Sequence, residues 1–329
     1  MSDLTINKPQ CKLKDLCFKN RHKTIYSTLP TISKEIEMEI IKSLNNTEFD
    51  SLYIAFKGAF KDYEIQWTKN ELHTMLHRRG FVPELSFGAF EKDKLIAFTL
   101  NGIGLYKNVK TAYDTGTGTI KEYRGKGLAT KIFEYSLPYL KKANIENYLL
   151  EVLQYNTKAI SIYKNLGFKI EREFNYFVQK VENIKVKDRQ LDSIYSIRLL
   201  DLSGYKTMNS FFDFIPSWQN SFVAINRKLE DFKILGAFKE NELVGHCILE
   251  PKSGDITQIA VNKLHRRKGI ASLLFKEILN YNKHHSIKII NTQTDCHSII
   301  EFLTSKDISI TGKQFEMIKE IQNTVGNNV

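Results

Sequence analysis

The chain has 329 residues, about twice the size of a common single domain, which predicts two domains of ordinary size. A hydrophobic content of 42% and an aromatic content of 12% supply a core for each and exclude disorder on the scale of a whole domain. The net charge of +11 comes from basic residues spread along the chain without a recognition motif, so we predict no nucleic-acid partner.

The sequence shows no pattern of a membrane span, a signal peptide or a metal site. The apolar runs, such as Leu149–Leu153 with its internal glutamate, are too short to cross a bilayer, and no signal-peptide pattern opens the chain. His73 and His77 have no third ligand nearby in sequence. We predict a cytoplasmic protein with no membrane partner and no metal site. Four cysteines without metal-ligand spacing agree with reduced thiols: Cys11, Cys17, Cys247 and Cys296.

The first half begins after residues 1–35, which show no clear apolar period and are expected to form an N-terminal extension of uncertain order. Alternation over Glu37–Ser43 predicts a strand, and a helical pattern follows Thr47. Leu85–Phe90 and Leu95–Leu100 flank a polar turn and predict a hairpin.

The second half repeats this order of elements. A charged run separates it from the first half, Ile194–Leu200 predicts an opening strand, and Ile234–Phe238 with Leu243–Leu249 predicts a hairpin. The aromatic cluster Phe211–Phe214, with Trp218, fits either a pocket wall or the core of an early helix pair, and we favour the core. The repeat predicts duplicated domains over residues 36–185 and 192–329.

One short motif occurs in both halves. Residues 123–129 read Tyr-Arg-Gly-Lys-Gly-Leu-Ala, residues 265–271 read His-Arg-Arg-Lys-Gly-Ile-Ala, and each precedes an amphipathic helical pattern. A glycine at a helix start lets a ligand approach the free N–H groups of the first turn, where the helix dipole favours an anion such as a pyrophosphate. For a single copy, a basic turn that only caps a helix is the alternative; two copies in matching contexts favour the anion site.

This Arg-x-x-Gly-x-Ala turn resembles the acetyl-CoA pyrophosphate motif of the GNAT N-acetyltransferases, over roughly residues 36–184 and 192–325. The resemblance implies an α+β protein of two tandem GNAT folds, each a mixed, mostly antiparallel split sheet flanked by helices, with acetyl-CoA as cosubstrate. The strands before the turns, 112–119 and 255–261, are implied to contact the acyl-CoA, although Gly116 and Gly118 depart from the usual larger apolar residues.

The resemblance implies a set of cofactor-binding residues in each half. In the first half they are Thr119, Arg124, Gly125, Lys126, Gly127, Leu128, Ala129 and Asn156. In the second half they are Ile259, Val261, Arg266, Arg267, Lys268, Gly269, Ile270 and Ala271.

A second segment, residues 149–168, supplies candidates for proton transfer. It resembles the family element Asn-x-x-Ala-x-x-x-Tyr-x-x-x-Gly-Phe, and Glu151 and Tyr163 occur at the spacing of the base and acid of ribosomal-protein N-terminal alanine acetyltransferases. The reaction needs such a pair, because an ammonium must lose a proton before attack and the departing thiolate must gain one. The alternatives are a solvent-facing Glu151 and a Tyr163 that only fills the core.

The second half departs from this element. Aligned by spacing, Ile290 stands at the position of Glu151, Asp295 at that of Asn156 and Phe302 at that of Tyr163, with residues 306–307 in place of the Gly-Phe pair. A phenyl ring cannot protonate a thiolate, so we expect the second half to be impaired or non-catalytic.

The sequence therefore predicts an acyltransferase that moves acetyl from acetyl-CoA to a primary amine of a small molecule or a peptide N-terminus, with its chemistry in the first half. One alternative makes the second half the active one, since its cofactor strand follows the family pattern better. The other is a non-catalytic acyl-CoA-binding or sensing protein. The acceptor amine and the oligomeric state are left open by the sequence.

Overall fold

The computed structural model describes residues 39–62, 66–186 and 192–321. The predicted N-terminal extension, the start of the predicted strand at Glu37 and part of the charged run between the halves lie outside these residues. The first half contains β1 (Ile40–Ser43), α1 (Phe49–Ala59), α2 (Lys69–Arg78), β2 (Phe87–Glu91), β3 (Lys94–Tyr106), β4 (Val109–Thr119), α3 (Leu128–Lys142), β5 (Asn147–Leu153), α4 (Thr157–Asn165) and β6 (Lys169–Lys180).

The second half repeats this order with shorter early helices. It contains β7 (Tyr195–Leu199), α5 (Tyr205–Asn209), α6 (Phe222–Asn226), β8 (Lys233–Lys239), β9 (Glu242–Glu250), β10 (Asp255–Val261), α7 (Ile270–Leu279), β11 (Ser286–Gln293), α8 (His297–Thr304) and β12 (Ile310–Glu320). Both predicted hairpins are present, as β2–β3 and β8–β9. Each described helix is too short or too polar for a membrane span.

All twelve strands join one sheet in the order β1-β2-β3-β4-β5-β12-β6-β11-β10-β9-β8-β7. Neighbours pair antiparallel except at β4–β5 and β10–β11, which pair parallel. The predicted α+β class, mixed and mostly antiparallel with flanking helices, is therefore confirmed, and the two predicted sheets are joined into one.

The two halves exchange their last strands. β12 lies beside β5 of the first half, and β6 lies beside β11 of the second half. Side chains of the exchanged strands also join the core of the other half. Met317 of β12 is buried with the first-half residues Phe133 and Tyr148, and Phe177 of β6 is buried among second-half residues. Since each buried side chain of this size contributes about 1.5–3 kcal/mol, each half depends on the other for part of its core.

Each half of the sheet splits at its parallel pair. β4 and β5 pair only over Thr111–Tyr113 and Asn147–Leu149 before they diverge. β10 and β11 pair in register only at Asp255 and Lys288. The helices α3 and α7 begin at the turns that follow β4 and β10, so each turn lies at the open end of a split.

Candidate functional site

The first motif turn is open to solvent. Gly125 and Gly127 have φ angles of 85° and 73°, the left-handed region that favours glycine. Gly127 is the N-cap of α3, and a Cβ added at either glycine would meet no atom within 4 Å. The first-turn N–H groups of α3 are therefore accessible at the end of the split, as an anion site requires.

The second motif turn has the same shape but more charge. Gly269, with φ 89°, is the N-cap of α7. Arg267 takes the position of Gly125 and has φ 65°, which is uncommon for a residue with a side chain. Arg267 and Lys268 are both exposed. Two cations and the N–H groups of a helix start therefore face the same solvent-accessible space.

The arginine that opens each motif ties its turn to an earlier loop. Arg124 donates to the carbonyls of Thr119 (3.2 Å) and Ala59 (2.7 Å) and to Asp62 Oδ2 (3.1 Å). Sequence reasoning missed this role, because Asp62 is 62 residues away and belongs to no motif. The hydrogen bond from Arg124 lowers the pKa of Asp62, which keeps the pair ionised. The predicted part of Arg124 in cofactor binding stays a prediction.

Arg266 repeats these contacts in the second half. It donates to the carbonyls of Val261 (3.0 Å) and Phe211 (3.2 Å) and to both oxygens of Asp213 (2.8 and 3.0 Å). Burial alone would raise the pKa of Asp213, but hydrogen bonds from Arg266 and Ser298 lower it. The duplicated arginine thus forms a duplicated brace, which fixes the turn before any ligand arrives.

The split of the second half holds a cleft of about 450 Å³. It runs from the motif turn along β10 and β11 to α8. The cleft is lined by most of the predicted second-half cofactor residues: Ile259, Val261, Arg266, Arg267, Gly269, Ile270 and Ala271. Phe211, Phe212 and Phe214 line it too, so the favoured assignment of these three rings to a helix-pair core is wrong. Trp218 does not line the cleft and is buried in a hydrophobic cluster with Tyr113. The early helix α5 ends at Asn209, before the cluster, and leaves these rings at the cleft.

The split of the first half contains a hydrogen-bonded cluster. Asp114, the first residue of β4 beyond the parallel pairing, accepts from Gly116 N (2.9 Å), Thr117 Oγ1 (2.7 Å) and Tyr163 Oη (3.3 Å). Burial raises the pKa of the Asp114 carboxyl to about 6 against these hydrogen bonds. The predicted acid Tyr163 therefore lies at the split, beside a carboxyl that was not predicted. The other predicted residue here, Asn156, caps α4 through Ala159 N (3.2 Å).

Glu151 lies on the opposite face of the sheet from Tyr163. Residues alternate along β5, so that Tyr148, Leu150 and Val152 pack on the side of Tyr163. Glu151 shares the face of Leu149, which packs against Trp218 of the second half. The structure thus places the predicted base and acid on opposite faces of the sheet at one split.

The environment of Glu151 favours proton uptake. Burial raises the pKa of this carboxyl above its usual range, Glu316 adds to the rise, and the amides of Asn291 and Gln219 and the charge of Arg79 oppose it. Its Oε2 accepts a 2.6 Å hydrogen bond from Gln219. Its Oε1 is buried and lacks a well-formed hydrogen bond within the described part of the chain. A buried carboxylate whose pKa is raised is suited to take a proton.

Trp218 and Gln219 form a seam between the halves that sequence reasoning missed. The Trp218 ring stacks on Tyr113 at 5.3 Å, and its Nε1 donates to Arg79 O at 2.9 Å. Gln219 Oε1 accepts a 2.6 Å hydrogen bond from Arg79 Nη2. These partners are more than 60 residues apart in sequence, so no local pattern indicates the contacts.

The predicted alignment of the second half is one residue out at α8. Cys296 is the N-cap of α8 as Asn156 is of α4. Ile308 N bonds Leu303 O at 3.0 Å, just as Phe168 N bonds Tyr163 O at 3.0 Å. Leu303, a core residue, is therefore the counterpart of Tyr163, and neither it nor the predicted Phe302 can donate a proton.

The cause of the slip is a β-bulge in β11. The register with β6 shifts between Ile289 and Thr292, and Asn291 has φ 60°. The bulge places both Ile290 and Asn291 where β5 has Glu151. The Asn291 amide bonds Ser217 Oγ at 2.8 Å. No carboxylate occupies this position in the second half, as the sequence predicted.

Comparisons with known proteins agree with this architecture. The model of the acetyltransferase (GNAT) family matches residues 49–168 and 192–302. Over 119 residues the chain is 32% identical to N-alpha-acetyltransferase 30 of Schizosaccharomyces pombe, a match that covers 35% of this chain and 79% of that protein. Over 122 residues it is 26% identical to N-alpha-acetyltransferase MAK3 of Arabidopsis thaliana, covering 36% and 64%.

Two solved structures share the whole two-half fold. A tandem GNAT protein from the clavulanic acid biosynthesis pathway superposes with a TM-score of 0.66 and 11% identity, over 87% of this chain and 98% of that one. A GCN5-related N-acetyltransferase from Sphaerobacter thermophilus gives 0.65 and 12%, over 86% and 96%. At these identities the likeness concerns the fold alone.

Proposed function

Because the chain belongs to the GNAT acetyltransferase family, we propose that it is an acetyl-CoA-dependent N-acetyltransferase that acetylates a primary amine with its first half. The observation that carries this proposal is the placement of Glu151 and Tyr163 on the two faces of the split between β4 and β5, next to an open helix start. The similarity to N-alpha-acetyltransferases supports a peptide α-amine as the acceptor class. A cytoplasmic location stays a prediction.

The proposed reaction uses each of these groups once. The acceptor ammonium gives a proton to Glu151, and the free amine nitrogen attacks the thioester carbonyl carbon. The new C–N bond forms, the C–S bond breaks, and the departing thiolate takes the hydroxyl proton of Tyr163. The attacking nitrogen loses its second proton to solvent as the neutral amide forms. Tyr163 is reprotonated from solvent, and Glu151 returns its proton to solvent. The N–H groups at the start of α3 hold the cosubstrate's pyrophosphate.

A second role is proposed for the second half. Its 450 Å³ cleft and cationic turn favour acetyl-CoA binding. Its counterparts of Glu151 and Tyr163 are a bulge and Leu303, so we propose that it binds acetyl-CoA without transferring the acetyl group. The alternative in which the second half is active is supported by this cleft and by the cofactor strand Asp255–Val261, which follows the family pattern better.

The test separates the two sites by charge at constant size. Gly127→Asp and Gly269→Asp place a carboxylate at one turn each, and Gly127→Asn and Gly269→Asn are matched controls, because Asn and Asp both tolerate left-handed φ. Isothermal titration with acetyl-CoA should show that each Asp variant loses one binding event that its Asn control keeps. The proposal requires that only Gly127→Asp abolish turnover.

Turnover is measured with peptides that carry a free N-terminal amine, compared with the same peptides blocked by N-acetylation. Loss of turnover in Gly269→Asp but not in Gly127→Asp would assign the chemistry to the second half. Acetyl-CoA binding without turnover of any free-amine peptide or small primary amine would favour the sensing alternative.

A further inference from the structure

Gln219 belongs to the second half, yet its side chain lies against the first-half residue Glu151. We propose that Gln219 is a positioning residue for Glu151, so that the second half completes the catalytic site of the first. The inference rests on the proposed role of Glu151 as the base. It assigns the second half a part in the reaction that is separate from any ligand in its own cleft.

The orientation of the Gln219 amide is fixed by its two neighbours. Its Oε1 accepts from Arg79 Nη2 at 2.6 Å, and its Nε2 donates to Glu151 Oε2 at 2.6 Å. A guanidinium has only donors and an ionised carboxylate only acceptors. A flipped amide would therefore place donor against donor and acceptor against acceptor. The chain of hydrogen bonds from Arg79 through Gln219 to Glu151 can therefore run in only one direction.

The backbone on both sides of Gln219 is also held. Its carbonyl accepts a 3.0 Å hydrogen bond from Arg78 Nη2. Trp218 is anchored on Tyr113, and the Asn220 amide donates to Ile290 O at 2.9 Å. Gln219 itself is 6% exposed, which leaves its amide little access to bulk water as an alternative partner. The segment presents this amide in one geometry.

This chain of hydrogen bonds stabilises the ionised form of Glu151. An amide N–H stabilises a carboxylate, and the polarisation of that amide by Arg79 strengthens the effect. Gln219 therefore limits the rise in pKa that burial causes and holds Oε2 in a fixed position. The titratable side chains that face Glu151 from the surrounding elements are the same in every variant below: Arg79, Tyr106, Tyr113, Arg172 and Glu316.

The test titrates Glu151 directly in the full chain. Carbon-13 NMR of protein labelled at glutamate side-chain carboxyls identifies the Glu151 signal by its loss in Glu151→Gln. In Gln219→Leu, which keeps the bulk and removes the donor, the midpoint should rise by about one pH unit, the effect of losing one charge-assisted hydrogen bond. Gln219→Glu, of nearly identical shape, should raise it further, because two carboxyls then share one site.

The matched control is Gln154→Leu, which removes an exposed amide that donates to Glu173 Oε2 at 3.2 Å. It should leave the Glu151 midpoint unchanged. The acid limb of kcat, measured with acetyl-CoA and a free-amine peptide, should move with the midpoint in both Gln219 variants, with the affinity for acetyl-CoA within twofold of wild type. Should Gln219→Leu not fold, Gln219→Glu alone decides the matter by the same two readouts.

An unchanged Glu151 midpoint and an unchanged acid limb in a folded Gln219 variant would overturn the inference and leave the proposed function standing if Glu151→Gln is inactive. Full activity of Glu151→Gln would instead remove Glu151 as the base, and with it both this inference and that part of the proposed function. Reduced kcat with an unshifted acid limb marks Gln219 as merely structural, which also contradicts the inference.

Discussion

The hydroxyl of Tyr163 donates a hydrogen bond of 3.3 Å to Oδ2 of Asp114 across the split of the first half. The two residues belong to α4 and β4, elements that the split separates, and the same carboxyl also accepts from Gly116 N and Thr117 Oγ1. Asp114 therefore orients the phenol at the point where the sheet opens. Because the carboxyl is shielded from water there, its ionisation lowers the free energy of unfolding by a measurable amount.

Asp114→Asn should stabilise the protein at neutral pH but not at low pH. Burial raises the pKa of Asp114 to about 6, above about 3.9 in an unfolded chain. Between these values the folded state holds a proton that the unfolded state has lost, so stability falls as pH rises toward 6. The free energy of unfolding of the variant minus that of wild type should increase by about 1–3 kcal/mol from pH 4 to pH 7.

Urea unfolding at pH 4, 5, 6 and 7 measures this difference. The control is Asp295→Asn, an exposed position that reports the effect of the same substitution without burial. A difference for Asp114→Asn that stays constant over this range would contradict the raised pKa.

Tyr163→Phe should lower kcat by about 100-fold, the lower end of the contribution of one general acid. The ring keeps its packing against Phe168 at 5.6 Å, so the dissociation constant of acetyl-CoA should stay within twofold. Steady-state activity assays measure kcat, and isothermal titration measures the dissociation constant of acetyl-CoA. Tyr135→Phe is the control, since Tyr135 is an exposed tyrosine of α3 whose hydroxyl is hydrogen-bonded to that of Tyr139. Equal activity of wild type and Tyr163→Phe would mean that water carries the proton.

Local patterns were enough to predict the motif turns and the two hairpins. Each depends on periodicity or glycine placement within about ten residues, which the sequence displays directly. The left-handed φ of Gly127 and Gly269 follows from the same local requirement. Both halves share these features, so each copy supports the other.

The strand exchange and the seam could not be predicted in this way. β12 fits beside β5 by cross-strand contacts between Met317 and Leu150, residues 167 positions apart, and any apolar strand has a similar local pattern. The one-residue error in aligning Phe302 with Tyr163 has a related cause, because a bulge adds one residue to β11 without changing its composition. Gln219 carries no motif, and its role depends wholly on where Arg79 and Glu151 are placed.

Substitutions of Arg266 and of Lys268, two of the basic residues of the second turn, should have different effects. Arg266→Gln breaks the hydrogen bonds to Asp213, Phe211 and Val261 and should lower the free energy of unfolding by about 1–3 kcal/mol. Lys268 is exposed, so Lys268→Gln should change stability by less than about 0.5 kcal/mol and weaken acetyl-CoA binding in a salt-dependent way. Thermal unfolding and titration at low and high salt measure these effects. Equal losses of stability in Arg266→Gln and Lys268→Gln would contradict the proposed role of Arg266 in holding the turn.

The exchanged strands β6 and β12 are joined by an ion pair that offers the sharpest stability test. Arg172 donates to both oxygens of Glu316 at 2.7 Å, with 10% of the Arg172 side chain and none of the Glu316 side chain exposed. Removing one partner leaves the other charge buried alone, so Arg172→Met should cost about 3–5 kcal/mol.

The double variant Arg172→Met with Glu316→Leu should lose less than either single variant, because no charge is then left unpaired. The control is Lys185→Met, which breaks an exposed pair with Asp307 (2.6 Å) and should cost less than about 1 kcal/mol. Urea unfolding of the four proteins gives the coupling energy of a double-mutant cycle. Additive losses would show that the pair does not hold the exchanged strands together, and the burial of Phe177 and Met317 would then account for their cohesion.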